Sequence, residues 1–173
     1  MNSLLSANAL RFVGILLVQG LILASIQFEV GWLRHFRILL YPLFVMILPL
    51  RTPATIVIAV GFGMGLLVDL FYATPGVHAA ALTFTAFARN FVLGILEPRG
   101  GYNVNFSPTI RRMGRPWFLR YFSTLLLLHV VFYACVDVFT FVYWDTILLN
   151  ILGSYLISWL FIFMYMLVFN PED

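Results

Sequence analysis

Long apolar stretches separated by short polar breaks run through the whole chain. A helix needs about 20 apolar residues to cross the hydrocarbon of a bilayer. By that measure the pattern predicts six membrane spans. They cover approximately residues 9–28, 35–50, 54–74, 77–96, 119–143 and 146–169. The sequence therefore indicates an all-α integral membrane protein, a single bundle of six transmembrane helices that forms one domain over residues 1–173.

The second predicted span is the least regular of the six. Pro42 and Pro49 interrupt it, and its uncharged run over residues 38–50 is short. Proline removes a backbone hydrogen-bond donor, and a membrane interior tolerates this only where neighbouring groups compensate for the loss. We therefore expect a second helix that is tilted, bent or partly re-entrant.

Composition supports lipid as the solvent of this chain. Hydrophobic residues make up 62% of it and charged residues only 10%, whereas soluble domains average about 25% charged. The net charge of +3 comes from arginine, since the sequence contains no lysine. In a membrane protein such a charge concerns topology and lipid headgroups before nucleic acid, so we expect no nucleic-acid partner.

The arginines predict the orientation, because cytoplasmic loops carry an excess of positive charge. With the N-terminus inside, the cytoplasmic side holds Arg11, Arg51, Arg99, Arg111, Arg112, Arg115 and Arg120. The outer side then holds only Arg34 and Arg37. This asymmetry predicts a multi-pass protein with both termini in the cytoplasm.

One long loop, residues 97–118, lies on the predicted cytoplasmic side. It carries a basic group, Arg111, Arg112 and Arg115, and Arg120 follows it closely. Such a loop commonly rests on anionic lipid headgroups, at about 1 kcal/mol per arginine near the surface. The alternative is a docking site for a cytoplasmic protein, and the sequence leaves both open.

Polar residues form one stripe on each of four predicted spans. The stripes are Gly61, Gly65 and Asp69; His78, Thr85 and Arg89; His129, Tyr133 and Asp137; and Asn150, Ser154 and Ser158. Helix rise places Asp69 and Asp137 in one layer, about 8–9 Å below the outer ends of their spans. The same estimate sets Arg89 about 18 Å deep, close to the level of His129 and Tyr133.

These stripes predict an intramembrane polar network, since ionisable groups at membrane depth need a partner or a function. Its expected members are Arg89, His129, Tyr133, Asp137, Asn150 and Ser154. The favoured interpretation is internal: polar side chains that face each other across helices fix their register. Two alternatives stay open, namely an ion, proton or substrate path and a polar patch that meets a partner's transmembrane helix.

Glycines at positions 61, 63 and 65 leave one face of the third span smooth. A Gly-x-x-x-Gly spacing is typical of close helix packing, either inside the bundle or against another protein. Pro75 and Gly76 then predict a tight turn. The sequence offers no metal-ligand spacing and no G-x-S-x-G elbow. We therefore expect no catalytic residue, no metal and no cofactor.

The stretch at 61–78, GFGMGLLVDLFYATPGVH, resembles the signature of the rod shape-determining protein MreD family. That family shows a glycine-studded run, a leucine-rich step to an aspartate, and a small turn with Pro and Gly that leads to His-Ala. The proline-broken second span, the chain length and the six spans are also similar. Two features depart from the pattern: Gly76 follows Pro75 directly, and the loop at 97–118 is longer than usual.

The resemblance implies a non-enzymatic scaffold of the bacterial cell-elongation machinery in the cytoplasmic (inner) membrane. Such a protein would lie beside an MreC-like protein. It would help to couple MreB to the peptidoglycan synthase RodA and its penicillin-binding partner, and so maintain rod shape. The helix face expected to meet a partner comprises Gly61, Gly63, Gly65, Asp69, Pro75, Gly76 and His78.

The family is also similar in fold to the substrate-binding subunits of energy-coupling-factor vitamin transporters. This similarity supplies an alternative function, a small-molecule binder of the vitamin type. It would need convergent polar groups near the outer face, which Asp69, His78, Asp137, Asn150 and Ser154 could supply. A third interpretation, an ion-coupled transporter or channel, would use the same carboxylates.

Overall fold

The computed structural model describes residues 2–26, 28–30, 33–138 and 144–169. Helix α1, Asn2–Leu17, continues as a π-helical turn, Val18–Ile22, and a 3-10 turn, Leu23–Ser25. The later elements are β1 (Phe28–Val30), β2 (Leu33–Phe36), α2 (Pro42–Ile47), α3 (Ala54–Tyr72), α4 (Val77–Ile95), α5 (Ile110–Met113), α6 (Arg115–Val138) and α7 (Trp144–Phe169).

The fold is predominantly helical, which confirms the helical class predicted from the sequence. Among the described residues, four stretches are long and apolar enough to cross a membrane: Ser6–Ser25, Ala54–Tyr72, Arg115–Val138 and Ile147–Phe169. Helix α4 is as long as α3, at 19 residues, but it carries more polar side chains and packs between α3 and α6. The described part of the chain therefore has five long helices and two short ones, α2 and α5.

Most predicted spans correspond to observed helices. The third, fourth and sixth match α3, α4 and α7. The first begins at Asn2 instead of residue 9, and the fifth begins at Arg115 inside the predicted loop. Residues 139–143 of the fifth span lie outside the described residues.

The second predicted span is not a continuous helix. Strand β2 ends at Phe36, residues 37–41 lie outside any helix, and α2 has only six residues. Pro42 occupies the start of α2, where its missing N–H costs no intrahelical bond. Leu48 has extended backbone with ψ of 143°, as expected for a residue before proline. The expected bend is therefore a short helix with non-helical backbone on both sides.

The connection between the first and second predicted spans forms a β-hairpin, which an all-α prediction does not include. Strands β1 and β2 pair antiparallel, with Phe28 opposite Phe36 and Val30 opposite Leu33. We call this side of the bundle the hairpin end. The opposite side, which carries residues 97–114, is the loop end.

Residues 37–50, which we call the central segment, pass through the middle of the bundle. Every residue from 38 to 49 is buried, and α2 packs against α1, α3, α4 and α6. The segment meets the loop end where the N–H of Leu50 donates to the Phe106 carbonyl (3.0 Å) and that of Arg51 to the Val104 carbonyl (2.9 Å). The outer surfaces of the long helices expose large apolar side chains, as lipid contact requires.

Candidate functional site

The non-helical backbone of the central segment needs hydrogen-bond partners, because unpaired N–H and C=O groups are costly at membrane depth. Gln19, in the π-helical turn after α1, is fully buried and supplies several of them. Its Oε1 accepts from the N–H groups of Leu40 (2.7 Å) and Tyr41 (3.2 Å). Its Nε2 donates to the Ile38 carbonyl (2.9 Å) and to the Tyr72 hydroxyl (2.7 Å).

Two serines of α7 accept hydrogen bonds from backbone N–H groups of the same stretch. Ser158 Oγ accepts from the N–H of Leu39 (2.8 Å), and Ser154 Oγ accepts from the N–H of Arg37 (3.1 Å). Both serines are buried. The polar stripe predicted on the sixth span is therefore a set of partners for the backbone. Asn150, one turn earlier, does not join it, and its Oδ1 is buried without a partner in the described structure.

At the other end of α2, long polar side chains pair the last carbonyls. Arg89 Nη2 donates to the Leu48 carbonyl (2.6 Å), and the Tyr121 hydroxyl donates to the Met46 carbonyl (2.9 Å). Arg89 is 1% exposed. Among the described residues no carboxylate pairs with it, so the carbonyl dipoles at the end of α2 offset its charge.

Arg89 does not lie with His129 and Tyr133, contrary to the depth estimate. The residue of α4 that meets His129 is Thr85, whose Oγ1 is 2.7 Å from His129 Nδ1. Helices α4 and α6 run antiparallel, so Arg89, one turn beyond Thr85, reaches the level of Tyr121 instead. The estimate was therefore wrong by about one helical turn in the register of α4 against α6.

The Asp69 carboxylate accepts hydrogen bonds from backbone N–H groups in the first turn of α4. Its Oδ1 accepts from the Thr74 hydroxyl (2.5 Å) and from the N–H of His78 (3.0 Å), and its Oδ2 accepts from the N–H of Ala79 (2.9 Å). A carboxylate at a helix N-terminus satisfies unpaired donors and interacts favourably with the helix dipole. Asp137, expected in the same layer, is exposed and takes no part in these contacts.

The turn that brings α4 to Asp69 needs left-handed backbone. Ala73 has φ of 51° and Gly76 has φ of 86°. Glycine adopts this conformation without steric cost. Pro75 and Gly76 therefore serve as turn residues, and both lie at the hairpin end of the bundle.

Two of the three glycines in α3 pack inside the bundle. A Cβ on Gly65 would lie 2.7 Å from the His78 carbonyl oxygen and 2.8 Å from the Ala79 nitrogen, so the backbones of α3 and α4 touch there. A Cβ on Gly61 would lie 3.3 Å from that of Ala86. Gly63 differs, because no atom lies within 4 Å of the equivalent position.

His78 and His129, two candidate residues from the sequence, both form a hydrogen bond with the hydroxyl of Tyr41. Tyr41 was not among the predicted site residues. The Tyr41 hydroxyl lies 2.8 Å from His129 Nε2 and 3.0 Å from His78 Nδ1. The Arg37 guanidinium lies beside this group, 5.6 Å from the ring centroid of Tyr72 and 5.8 Å from that of Tyr133. Tyr41 and Gln19 were not predicted as site residues, and Arg37 was assigned only to the outer side, because none of them belongs to a periodic polar stripe.

The loop at 97–118 folds against the loop end. The Tyr102 hydroxyl donates to the Leu93 carbonyl and the Trp117 indole N–H to the Leu96 carbonyl, both at 2.8 Å. Burial raises the pKa of Tyr102 to about 12, so its hydroxyl keeps the proton that it donates. The basic side chains of Arg111, Arg112, Arg115 and Arg120 are exposed. The Arg112 guanidinium lies 4.4 Å from the ring centroid of Phe106.

The described residues contain no group of three or more His, Cys, Asp or Glu side chains that could hold a metal ion. The fold and the site define a class: a helical membrane protein with a buried, non-helical central segment held by polar side chains. Comparisons of the chain with known protein families, curated proteins and solved structures find no match.

Proposed function

We propose that this chain is a non-enzymatic scaffold of the MreD type in the cell-elongation machinery of a rod-shaped bacterium. It would lie in the cytoplasmic membrane, with both termini in the cytoplasm, beside an MreC-like protein. MreB, RodA and its penicillin-binding partner are the further partners of this proposal. The resemblance over residues 61–78 supplies the family.

One observation favours a scaffold over an ion path: the carboxylate of the signature stretch, Asp69, is taken up by internal contacts. Asp69 accepts three hydrogen bonds from the start of α4 and the turn before it. The series of hydrogen bonds through Tyr41 and His129 ends at Thr85, whose hydroxyl donates to the Ala81 carbonyl (2.8 Å). A backbone carbonyl cannot pass a proton onward, so this series does not continue to the loop end.

The face of α3 around Gly63 is the best candidate for contact with a partner helix. Gly61 and Gly65 contact α4 and are not available to another protein. Gly63 has open space around it, and Phe62, Leu66 and Leu70 beside it are exposed. A small residue on such a surface lets a partner's transmembrane helix approach closely.

The test is co-purification from native membranes with an MreC-like protein. Gly63→Leu should reduce recovery of the partner by about tenfold, equivalent to about 1.4 kcal/mol of binding free energy. Gly94→Leu on α4 is the matched control, because its surroundings are equally open. If the two variants recover the partner equally well, the α3 face is not the contact. If no MreC-like protein co-purifies with the wild type, the scaffold proposal itself fails.

The alternative function, a vitamin-type substrate-binding subunit, has one observation in its favour. Buried polar atoms of Arg37, His78 and Tyr133 lack partners in the described structure. Native mass spectrometry of the purified protein would show a retained vitamin if this alternative holds. The basic loop remains open to anionic lipids or to a cytoplasmic protein, as its arginines are exposed in either case.

A further inference from the structure

Several buried polar atoms have no hydrogen-bond partner within the described residues, and three of them form a cluster at the hairpin end. Arg37 Nη1, His78 Nε2 and the Tyr133 hydroxyl are buried and have no hydrogen-bond partner within the described residues. The three side chains are neighbours. The rings of His78 and Tyr133 lie 5.0 Å apart, and the Arg37 guanidinium lies 5.8 Å from the Tyr133 ring.

The direction of the hydrogen bonds around Tyr41 determines what His78 presents. Thr85 donates its only hydroxyl proton to the Ala81 carbonyl, so it accepts from His129 Nδ1. In the neutral ring one nitrogen donates and the other accepts. His129 Nε2 therefore accepts from the Tyr41 hydroxyl.

Tyr41 has then used its single proton, so its oxygen accepts from His78 Nδ1–H. The remaining nitrogen of His78, Nε2, carries a lone pair and no hydrogen. His78 is fully buried, and a buried acceptor is costly when left unpaired. The cluster therefore offers an acceptor for an N–H or O–H donor.

Beside this acceptor the cluster offers donors for an anion. Arg37 Nη1 is a cationic donor, and no described carboxylate forms an ion pair with this guanidinium. The Tyr133 hydroxyl is a second donor. Asp137 lies one turn further along α6 and is exposed. A ligand that satisfies all these groups carries a cationic N–H donor and an anionic oxygen close together.

The position of the cluster indicates where such a ligand comes from. His78 is the second residue of α4, and Tyr133 lies about 8 Å from Val138, where the described part of α6 stops. Both residues therefore lie towards the hairpin end, where the boundary between the acyl chains and the headgroups is expected. A phospholipid headgroup lies at the level of the cluster.

We propose that Arg37, His78 and Tyr133 form a binding site for an aminoethyl phosphate group, as in the headgroup of phosphatidylethanolamine. The phosphate oxygens accept from Arg37 and Tyr133, and the primary ammonium donates to His78 Nε2. Phosphatidylcholine has the same net charge and the same phosphate, but its quaternary ammonium has no N–H. The site should therefore discriminate between the two lipids.

The experiment is native mass spectrometry of the full-length protein, purified in detergent and mixed with equal amounts of the two lipids with identical acyl chains. Phosphatidylethanolamine should be retained about tenfold more than phosphatidylcholine, as expected for one charge-assisted hydrogen bond. Tyr133→Phe and Arg37→Met should each lower phosphatidylethanolamine retention several-fold. Tyr155→Phe is the control and should leave it unchanged.

Equal retention of the two lipids by the wild type would overturn the proposal without any variant, so misfolding of a mutant cannot obscure the result. Retention of phosphatidylglycerol as strong as that of phosphatidylethanolamine would also overturn it, because that lipid lacks an ammonium. Free O-phosphoethanolamine distinguishes the two sources of the group. If it displaces the bound lipid, the site recognises the soluble compound; if it does not, the site requires the lipid.

Discussion

Replacing Gln19 with methionine tests whether polar side chains in the membrane interior pair the backbone of the central segment. Methionine matches glutamine in shape and flexibility but lacks the amide, so packing changes little. The change leaves three backbone groups unpaired, namely the N–H groups of Leu40 and Tyr41 and the carbonyl of Ile38. It also removes the contact with the Tyr72 hydroxyl.

The expected loss of stability can be bounded from two directions. Each unpaired buried group costs about 1–3 kcal/mol, which gives roughly 3–9 kcal/mol for three groups. Polar contacts measured in membrane proteins contribute less, about 0.6 and at most about 1.7 kcal/mol each, which gives roughly 2–7 kcal/mol for four contacts. The two ranges overlap at roughly 3–7 kcal/mol, a large part of the stability of a typical domain.

The assay is unfolding of the purified protein in mixed micelles by increasing amounts of SDS, followed by the fluorescence of the half-buried Trp117 and Trp159. Thr124→Val is the control, because the exposed Thr124 hydroxyl only pairs a carbonyl of its own helix. The control should change the free energy of unfolding by less than about 0.5 kcal/mol. If Gln19→Met stays within about 1 kcal/mol of the control, the central segment does not depend on this side chain.

Three further substitutions probe the same interior. Asp69→Asn removes one acceptor at the start of α4 and should lower the free energy of unfolding by about 1–2 kcal/mol; in liposomes, a pH-dependent ion flux that this variant abolishes would instead support an ion path. Ser158→Ala unpairs the N–H of Leu39 and should cost about 1–3 kcal/mol in the SDS assay, and unchanged stability would count against its role. Gly65→Leu should abolish the monodisperse elution of the purified protein because α3 and α4 touch there, whereas Gly63→Leu should elute like the wild type.

The sequence predicted the long helices well because a membrane leaves few options. A run of about 20 apolar residues has to be helical in lipid, since only a helix pairs its own backbone. Gly61 and Gly65 contact α4 inside the bundle, which corresponds to the internal one of the two interpretations that their spacing left open. The boundaries were less accurate at the interface, where α6 begins at Arg115 among polar residues that a hydropathy criterion excludes.

The central segment could not be predicted in detail, although its prolines indicated an irregularity. Its conformation depends on Gln19, Ser154 and Ser158, which lie far from it in the sequence. Gln19 is an isolated polar residue between apolar neighbours, with no periodic pattern to mark it. Once residues 37–41 are known to be non-helical, however, the demand for donors and acceptors follows from physical chemistry alone.

That demand gives a criterion for separating structural from functional polar residues in this bundle. A side chain that pairs a backbone group, as Arg89 pairs the Leu48 carbonyl, is explained by the fold. A buried polar atom that pairs nothing, such as His78 Nε2, is not explained by the fold, because folding alone would favour an apolar residue there. The fold accounts for the first set, and the proposed lipid recognition would account for the second. Loss of phosphatidylethanolamine selectivity in Tyr133→Phe without loss of stability would therefore separate the two roles within one membrane layer.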